Sequence, residues 1–470
     1  MQSRRRFLGL AGAGVAAAAG CDRLPRLPWL GEQGGAAAAG ARPDPRLLPA
    51  DRLLRRATYG PRPGESARVA AMGLDAWIEE QLSPESIRDP KTFWLVRRIE
   101  TVSLETPDLF DYAAETALSD LRRAAVLRAV SSERQLLEVM VELWRDHFSV
   151  YAEKGHCAWL VIPYERALRR HALGSFRDLL GAVTTSPAML EYLDGGANVR
   201  AKPNENHARE LLELHTLGVE GGYTQADVME LSRAMTGWRV RNGFQRGRTA
   251  FERASHDDSL KRILGASYTA GASRDLDAIL DRLAVHPATA RRIAGKLCRR
   301  FAGDPPPPNL ELRVAQAFES SRGDIRTTLS VLLHAKDLLR NGRPVFRRPY
   351  AYAVAALRAL GSTSDGGLQL QRAIAAMGQL PYDWPTPDGY PSGEAHWAAR
   401  ALPRWNYALA LTANRIPGTK TRLDPARSPS AVTSELIGRE LAEVERRALD
   451  SAGEPEGFAL ALCHPEFQYA

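Results

Sequence analysis

The chain has 470 residues, 44% of them hydrophobic, and 63 basic against 55 acidic side chains give a formal net charge of +8. Residues 1–46 hold seven arginines and three carboxylates, so half of that excess lies outside the expected folded body. A body so weakly basic argues against a nucleic acid partner, and its length allows a large hydrophobic core.

The chain begins with a basic segment followed by a short apolar one. Residues 3–8 are Ser-Arg-Arg-Arg-Phe-Leu, and residues 9–20 contain only Gly, Ala, Val and Leu. Paired arginines before an apolar pair are typical of proteins carried by the twin-arginine translocase. A membrane-spanning helix needs about 20 apolar residues, so this segment is too short to be an anchor. We therefore expect residues 1–20 to be a twin-arginine signal peptide, with a basic tail as the alternative.

Cys21 follows the apolar segment directly. Residues 18–21, Ala-Ala-Gly-Cys, are similar to a bacterial lipobox, in which the cysteine is acylated. Cleavage at a neighbouring small residue, with Cys21 incidental, is the alternative. Asp22 favours retention at the inner membrane, and residues 21–46, rich in Pro, Gly and Ala, are expected to form a tether. We therefore expect the protein in the periplasm or on the outer face of the cytoplasmic membrane, held there by lipid on Cys21.

The rest of the chain, residues 47–470, is predicted to be an all-α body. Apolar residues recur at spacings of three and four, and small polar residues such as Ser186 and Asp324 precede several of these segments. At most a small β-hairpin is expected, near 238–252. Loops are expected at 305–308 and 361–367, and a subdivision into two units near 303–310 is an open alternative.

Three cysteines remain after Cys21, namely Cys157, Cys298 and Cys463. An odd number without close spacing is neither a disulfide framework nor a zinc-binding set. One disulfide in an oxidising compartment and three buried free thiols are equally compatible with the sequence. Sequence motifs for a serine nucleophile elbow, a phosphate-binding loop, a zinc protease and covalent haem are absent, which argues against those chemistries.

Several stretches resemble one bacterial family, the domain of unknown function 1800. They lie at residues 53–61, 144–150, 189–194, 204–218, 286–290, 385–391 and 465–468. The resemblance implies a helical fold and export, and it brings no established reaction. Members of this family are often paired with a second exported family, the domain of unknown function 1501, which looks related to sulfatases. An exported sulfatase-like partner is therefore expected.

One of these stretches departs from the family pattern. Where the family commonly has Trp-His-Asn-His-Phe, this chain has Trp144, Arg145, Asp146, His147 and Phe148. If both histidines of that pattern bind a metal, one ligand is missing here. Either Asp146 replaces it as an oxygen ligand, or only His147 matters.

The central stretch carries a polar stripe. On a helical wheel of about 100° per residue, Asn206, Glu210 and Glu213 share one face, and His215 lies on the opposite apolar face. Two carboxylates one turn apart repel each other, and burial would raise the pKa of at least one of them unless a cation lies between them. That cation is either a divalent metal held by Glu210, Glu213 and His147, or an arginine such as Arg209 paired with Glu213. A solvated face with ordinary ion pairs is the alternative to both.

Other polar residues are assigned supporting roles by the same hypothesis. Asn206, Arg209 and Asp146 would surround the metal ligands, and His256 or Asp388 would act as a base. His256 also fits a polar turn, while Asp388 lies in a stiff loop, 385–391, that fits the wall of a cleft. Two functions remain open: an exported envelope enzyme with a metal or cofactor site, and a lipid-anchored scaffold acting with an exported partner.

Overall fold

The computed structural model describes residues 49–269, 271, 273–424 and 426–470. The expected signal peptide, the tether and Cys21 lie outside these residues, so the expectations about them stay predictions. Within this part of the chain, no helix combines the length and the apolar character needed to cross a bilayer.

The described chain is mostly helical, as predicted. Its first half contains α1 (Pro49–Ala57), α2 (Glu65–Met72), α3 (Leu74–Leu82), α4 (Pro90–Arg97), α5 (Thr106–Leu109), α6 (Ala114–Ser131), α7 (Gln135–His147), α8 (Cys157–His171), α9 (Phe176–Thr184), α10 (Pro187–Tyr192), α11 (Glu205–Glu210) and α12 (Gln225–Ala234). A π-helical segment, Leu211–Thr216, continues α11. Short 3-10 turns lie at Pro84–Ser86, Glu100–Ser103, Gly195–Ala197, Gly243–Gln245, Arg253–Ser255 and Pro465–Gln468.

The second half adds helices of similar length. They are α13 (Ser273–Ala284), α14 (Pro287–Ala302), α15 (Pro308–Ser320), α16 (Ile325–Leu333), α17 (Lys336–Asn341), α18 (Pro349–Ala359), α19 (Leu368–Ala376), α20 (Glu394–Ala398), α21 (Ala401–Thr412), α22 (Pro429–Ile437), α23 (Glu443–Ala452) and α24 (Glu456–Cys463). The two predicted loops separate α14 from α15 and α18 from α19.

Helix starts follow the small polar residues seen in the sequence. The Ser186 side chain accepts a hydrogen bond from the backbone N–H of Met189, and Pro187 occupies the first position of α10. The Asp324 side chain accepts from the N–H of Thr327 at the start of α16. Each cap satisfies an amide that would otherwise lack a partner, which is why these helices begin there.

In the part of the chain that the structure describes, the named strands form three antiparallel pairs. The predicted hairpin is confirmed, with β1 (Trp238–Val240) paired to β2 (Thr249–Phe251). Two further pairs were not expected: β3 (Lys261–Ile263) with β4 (Ala266–Tyr268), and β5 (Thr363–Ser364) with β6 (Thr419–Lys420). Strands of two or three residues are too short to show an alternating pattern in the sequence.

One large core joins most of the helices. It contains buried residues from both sides of the 303–310 loop, for example Leu297 of α14 and Val314 of α15, and these two helices pack against each other. The subdivision near 303–310 stays a prediction. Helix α14 also contacts α1 and the π-helical segment. Cys157 and Cys298 are buried free thiols, and Cys463 is a partly buried one.

Candidate functional site

A cavity of about 590 Å³ lies where the end of α7, one face of α14, the segment before α18 and the loop before α20 meet. Its volume falls within the range of small-molecule sites, roughly 300–1,000 Å³. Basic side chains dominate the polar part of its wall: Arg55, Arg292, Lys296, Arg299, Arg300, Arg347 and Arg348. The acidic side chains of the wall are fewer: Glu142, Asp146, Asp304, Asp388 and Glu394.

Helix α14 supplies a basic stripe to this wall. Arg292, Lys296, Arg299 and Arg300 are spaced by three and four residues, so they share one face of the helix. The opposite face is buried, with Ile293, Leu297 and Phe301 in the core. The helix therefore packs by its apolar side and turns its cations toward the cavity.

Most of these cations lack an acidic partner. Arg348 forms ion pairs with Glu142 and Asp146, and Arg55 pairs with Asp51. Within the described residues, no carboxylate lies within 4 Å of the other five: Arg292, Lys296, Arg299, Arg300 and Arg347. Burial lowers the pKa of Arg292 and Arg300, and it lowers the pKa of Arg347 to about 9. Buried charges that lack a partner are costly, so this wall is suited to binding an anion.

Lys296 and His147 form a hydrogen-bonded pair at the wall. Lys296 Nζ lies 2.7 Å from His147 Nδ1, and His147 Nε2 lies 3.0 Å from the carbonyl oxygen of His215. A carbonyl only accepts, so Nε2 carries the ring proton and Nδ1 accepts from the amine of Lys296. Burial, with Lys296 next, holds the pKa of His147 well below its usual value, so the imidazole is neutral.

The amine itself is desolvated among cations. Burial and the neighbouring Arg292 lower the pKa of Lys296 to about 7, while Asp146 opposes the shift. A lysine in this environment exchanges its proton near neutral pH, in contrast to an exposed lysine, whose pKa is about 10.4. Amines of this kind serve enzymes as bases and as nucleophiles.

The π-helical segment supplies carbonyl groups to this pair. The last carbonyls of a helix have no partner within it, and here the oxygen of Leu214 accepts from Arg292 Nε at 3.1 Å. The oxygen of His215 accepts from His147. The wider π turn changes the angular step between successive side chains, and Leu217, the residue after this segment, is buried.

The predicted metal ligands do not converge. Glu210 and Glu213 are partly exposed on one side of the helix, and burial followed by Glu213 raises the pKa of Glu210. His147 has both ring nitrogens engaged, so binding a metal would break one of those bonds. Among the described residues, no three His, Cys, Asp or Glu side chains are grouped as a metal site would need. The metal site therefore stays a prediction from sequence.

The arginine expected to neutralise the glutamates pairs elsewhere. Arg209 Nη2 lies 2.9 Å from Glu205 Oε2, one turn earlier, and donates to Gln225 as well. Arg209 therefore pairs with Glu205 and not with Glu213, the partner that the sequence suggested. The Tyr223 hydroxyl lies 3.4 Å from Glu213. Asn206 donates to the carbonyl of Leu193 and thereby fastens α11 to the end of α10.

The residues that depart from the family pattern have separate roles. Arg145 is turned away from the cavity and holds buried Glu165 through two hydrogen bonds of 2.8 and 3.1 Å. Asp146 lines the cavity and forms an ion pair with Arg348. Neither replaces a histidine beside His147. His147 is thus the residue of this motif that contacts the amine of Lys296.

The loop 385–391 closes one side of the cavity, as its composition suggested. Asp388 lines the wall and is exposed, accepting hydrogen bonds from Trp384 Nε1 at 3.2 Å and Thr386 Oγ1 at 2.5 Å. Gly389 has a φ of 76°, and a Cβ there would lie 2.1 Å from the carbonyl oxygen of Asp146. Only glycine allows this close approach. The loop therefore rests directly on the end of α7.

His256 belongs to another part of the molecule. Its ring is fully buried against Phe251, and Nδ1 donates to the carbonyl of Thr236 at 2.8 Å. Its side chain does not line the cavity that holds Lys296. The predicted role as a base thus finds no neighbour there, and the contacts of His256 are those of a buried structural histidine.

The basic stripe was missed in the sequence, although it was visible there. The three-and-four spacing of Arg292, Lys296 and Arg299 is the same period that indicated the apolar faces, here carried by cations. The contributions of Arg347 and Arg348 had no such signal, because only folding brings them beside α14. Among the described residues, the ring nitrogens of the buried His207 and His215 have no hydrogen-bond partner.

Comparisons with known proteins give one result. No curated protein and no solved structure matches the chain. A family model described as "Protein of unknown function (DUF1800)" matches residues 52–469. That span covers almost the whole chain, including α7, α14 and the loop over the cavity. The chain therefore belongs to the DUF1800 family of proteins of unknown function.

Proposed function

We propose that this protein is an exported cell-envelope enzyme that binds a small anionic substrate in the cavity and uses Lys296, paired with His147, as its acid–base group. The observation that carries the proposal is the 2.7 Å contact between Lys296 Nζ and His147 Nδ1, at a wall where five cations have no carboxylate within 4 Å among the described residues. A concave site with converging polar groups supports an enzyme over a scaffold, which needs only an exposed patch.

The pair works through a fixed tautomer. The carbonyl of His215 holds the proton on His147 Nε2, so Nδ1 accepts from Lys296 in either protonation state of the amine. When the amine is neutral, its lone pair is available to take a proton from a bound substrate. The guanidinium groups of Arg292 and Arg299 would hold the anionic group of that substrate beside it.

Export and attachment belong to the same proposal. The paired arginines before the apolar segment support carriage by the twin-arginine translocase, and the lipobox-like residues before Cys21 support a lipid anchor. The family resemblance supports an exported sulfatase-like partner. A lipid-anchored scaffold that works with that partner is the alternative, and it does not require a reactive lysine.

Lysine labelling tests the site without a known substrate. The full chain would be treated with trace acetic anhydride at a series of pH values, and acetylation of each lysine would be measured by mass spectrometry. We expect half-maximal labelling of Lys296 near pH 7, because its pKa is about 7. Lys91, which is exposed on α4, is the internal reference against which the labelling of Lys296 is compared at each pH.

The anion requirement is tested in the same experiment. Inorganic phosphate should protect Lys296 more than chloride at equal ionic strength, while Lys91 labels equally in both. The double substitution Arg292→Gln and Arg299→Gln should raise the phosphate concentration needed by about tenfold. Lys296 labelling that follows Lys91, or equal labelling in phosphate and chloride, would contradict the proposal.

A further inference from the structure

The amine of Lys296 is placed as a nucleophile as well as a base. Its only hydrogen bond within the described chain is to His147, and no carboxylate among those residues lies within 4 Å of it. The lysine is partly accessible on the cavity side. A neutral amine in this position donates one N–H to His147 and directs its lone pair to whatever occupies the cavity.

The cations around the amine select the kind of molecule that can reach it. Arg292 lies one turn before Lys296 on α14, and Arg299 and Arg300 lie one turn after it, so the groups are neighbours on the helix surface. Their planar guanidinium groups match the two oxygens of a carboxylate or a phosphate. When these guanidinium groups hold the anionic group of a molecule, the neighbouring atoms of that molecule lie beside Lys296 Nζ.

We propose that the substrate is a small anion that also carries a carbonyl group, and that Lys296 Nζ bonds to its carbonyl carbon to form an imine. This inference rests on the proposed function, because it places the substrate in the same cavity. It adds the class of substrate and the covalent step. The cavity volume of about 590 Å³ leaves ample room for such a compound.

The step balances with the groups present. The lone pair of Lys296 Nζ forms the C–N bond, and the π electrons of the carbonyl move to its oxygen. His147 Nδ1 accepts a proton from the nitrogen and passes it to that oxygen, while the carbonyl of His215 keeps the other ring proton in place. The second proton of the amine then moves to the hydroxyl group formed in this way. The C–O bond breaks, and one water molecule leaves. No oxidant or reductant takes part.

Reductive trapping tests the inference on the full chain. Cyanoborohydride would be added with pyruvate, which carries a carboxylate, or with glycolaldehyde phosphate, which carries a phosphate. We expect a stable secondary amine on Lys296, found by peptide mass spectrometry, at a yield at least about tenfold above that on Lys91. The compound that forms the adduct shows whether the site prefers a carboxylate or a phosphate.

Matched controls separate the anion, the amine and the histidine. Acetone and glycolaldehyde have the same carbonyl groups without the charge, and they should trap on Lys296 no better than on Lys91. The substitution Lys296→Arg should abolish the specific adduct. His147→Gln should slow trapping and change its pH profile while leaving phosphate protection of Lys296 intact, since that variant keeps the cations.

Either charged compound trapped at Lys296 supports the inference. Failure of both overturns it, even when acetic anhydride labelling shows a reactive Lys296 that phosphate protects. In that outcome the proposed function stands, with Lys296 as a base only. If labelling and protection both fail as well, the proposed function falls with the inference.

Discussion

Arg145 shows at the residue scale how a departure from a family pattern is absorbed. It stands where a histidine is common and forms a buried ion pair with Glu165 on the neighbouring helix α8. The Tyr382 hydroxyl donates to the same carboxylate at 2.7 Å. Burial alone would raise the pKa of Glu165, but the Arg145 guanidinium outweighs it and holds the value at about 2. The pair joins α7 to α8 behind the cavity.

Breaking this pair should be costly. Glu165→Gln leaves the buried guanidinium without its counter-charge, so we expect a loss of about 3–5 kcal/mol in the free energy of unfolding. Glu205→Gln is the matched control, because Glu205 pairs with Arg209 and is more exposed than Glu165. This substitution should change the free energy of unfolding by less than about 0.5 kcal/mol. Urea unfolding of both variants measures the difference. Equal effects would contradict the structural role assigned to Arg145.

At the scale of elements, the site depends on two irregular segments that frame regular helices. The π-helical turn presents the carbonyls of Leu214 and His215 to the cavity residues. The loop 385–391 lies on Asp146 and is fastened by hydrogen bonds from Tyr192 to the carbonyl of Pro385 and from Trp397 to that of Pro391, both 2.8 Å. A rigid wall of this kind keeps bound groups in a fixed geometry.

Gly389→Ala tests whether the loop 385–391 must lie this close to the carbonyl of Asp146 at the end of α7. The new Cβ would meet the Asp146 carbonyl oxygen at 2.1 Å, at a φ that other residues rarely adopt. We expect a loss of about 2–3 kcal/mol in the free energy of unfolding. Phosphate protection of Lys296 should weaken in the same variant, because the cavity wall shifts.

Gly393→Ala is the matched control. Gly393 lines the same cavity, has a φ of −70° and would place its Cβ with no atom within 4 Å. Unfolding and phosphate protection should both stay close to those of the unsubstituted protein. A Gly389→Ala protein as stable as Gly393→Ala would show that the loop yields, contrary to the structure.

At the scale of the whole molecule, the lowered pKa of Lys296 makes the stability of the fold depend on pH. Folding lowers the pKa of Lys296 from 10.5 in the unfolded chain to about 7. Between these values the unfolded chain binds the proton that the folded protein has released, so stability rises with pH across this range. Below pH 7 both states are protonated, and the destabilisation is largest.

Lys296→Met removes this dependence. We expect the variant to exceed the unsubstituted protein in free energy of unfolding by about 1–3 kcal/mol at pH 7, after allowing for the partial exposure of the lysine and its lost bond to His147. The gap should shrink toward alkaline pH, where Lys296 is neutral in both states. Urea unfolding at neutral and alkaline pH measures it, and a gap that does not change with pH would contradict the shifted pKa.

Much of the architecture followed from local chemistry. The three-and-four period of apolar residues predicted a helical body, Ser186 and Asp324 marked helix starts, and proline and glycine marked the two loops. The hairpin at Trp238–Val240 and Thr249–Phe251 was predicted for the same reason. These features depend on residues close together in the chain, so sequence alone determined them.

The site was decided by tertiary structure. The sequence directed attention to His147, Glu210 and Glu213. Of these only His147 lines the cavity, where it meets Lys296 and Arg348 from distant parts of the chain. The lowered pKa of Lys296 comes from burial and from neighbouring cations, and the unprotonated Nδ1 of His147 follows from a hydrogen bond to a carbonyl 68 residues away. Sequence patterns report local periods, whereas desolvation and converging charges arise only when distant segments pack together.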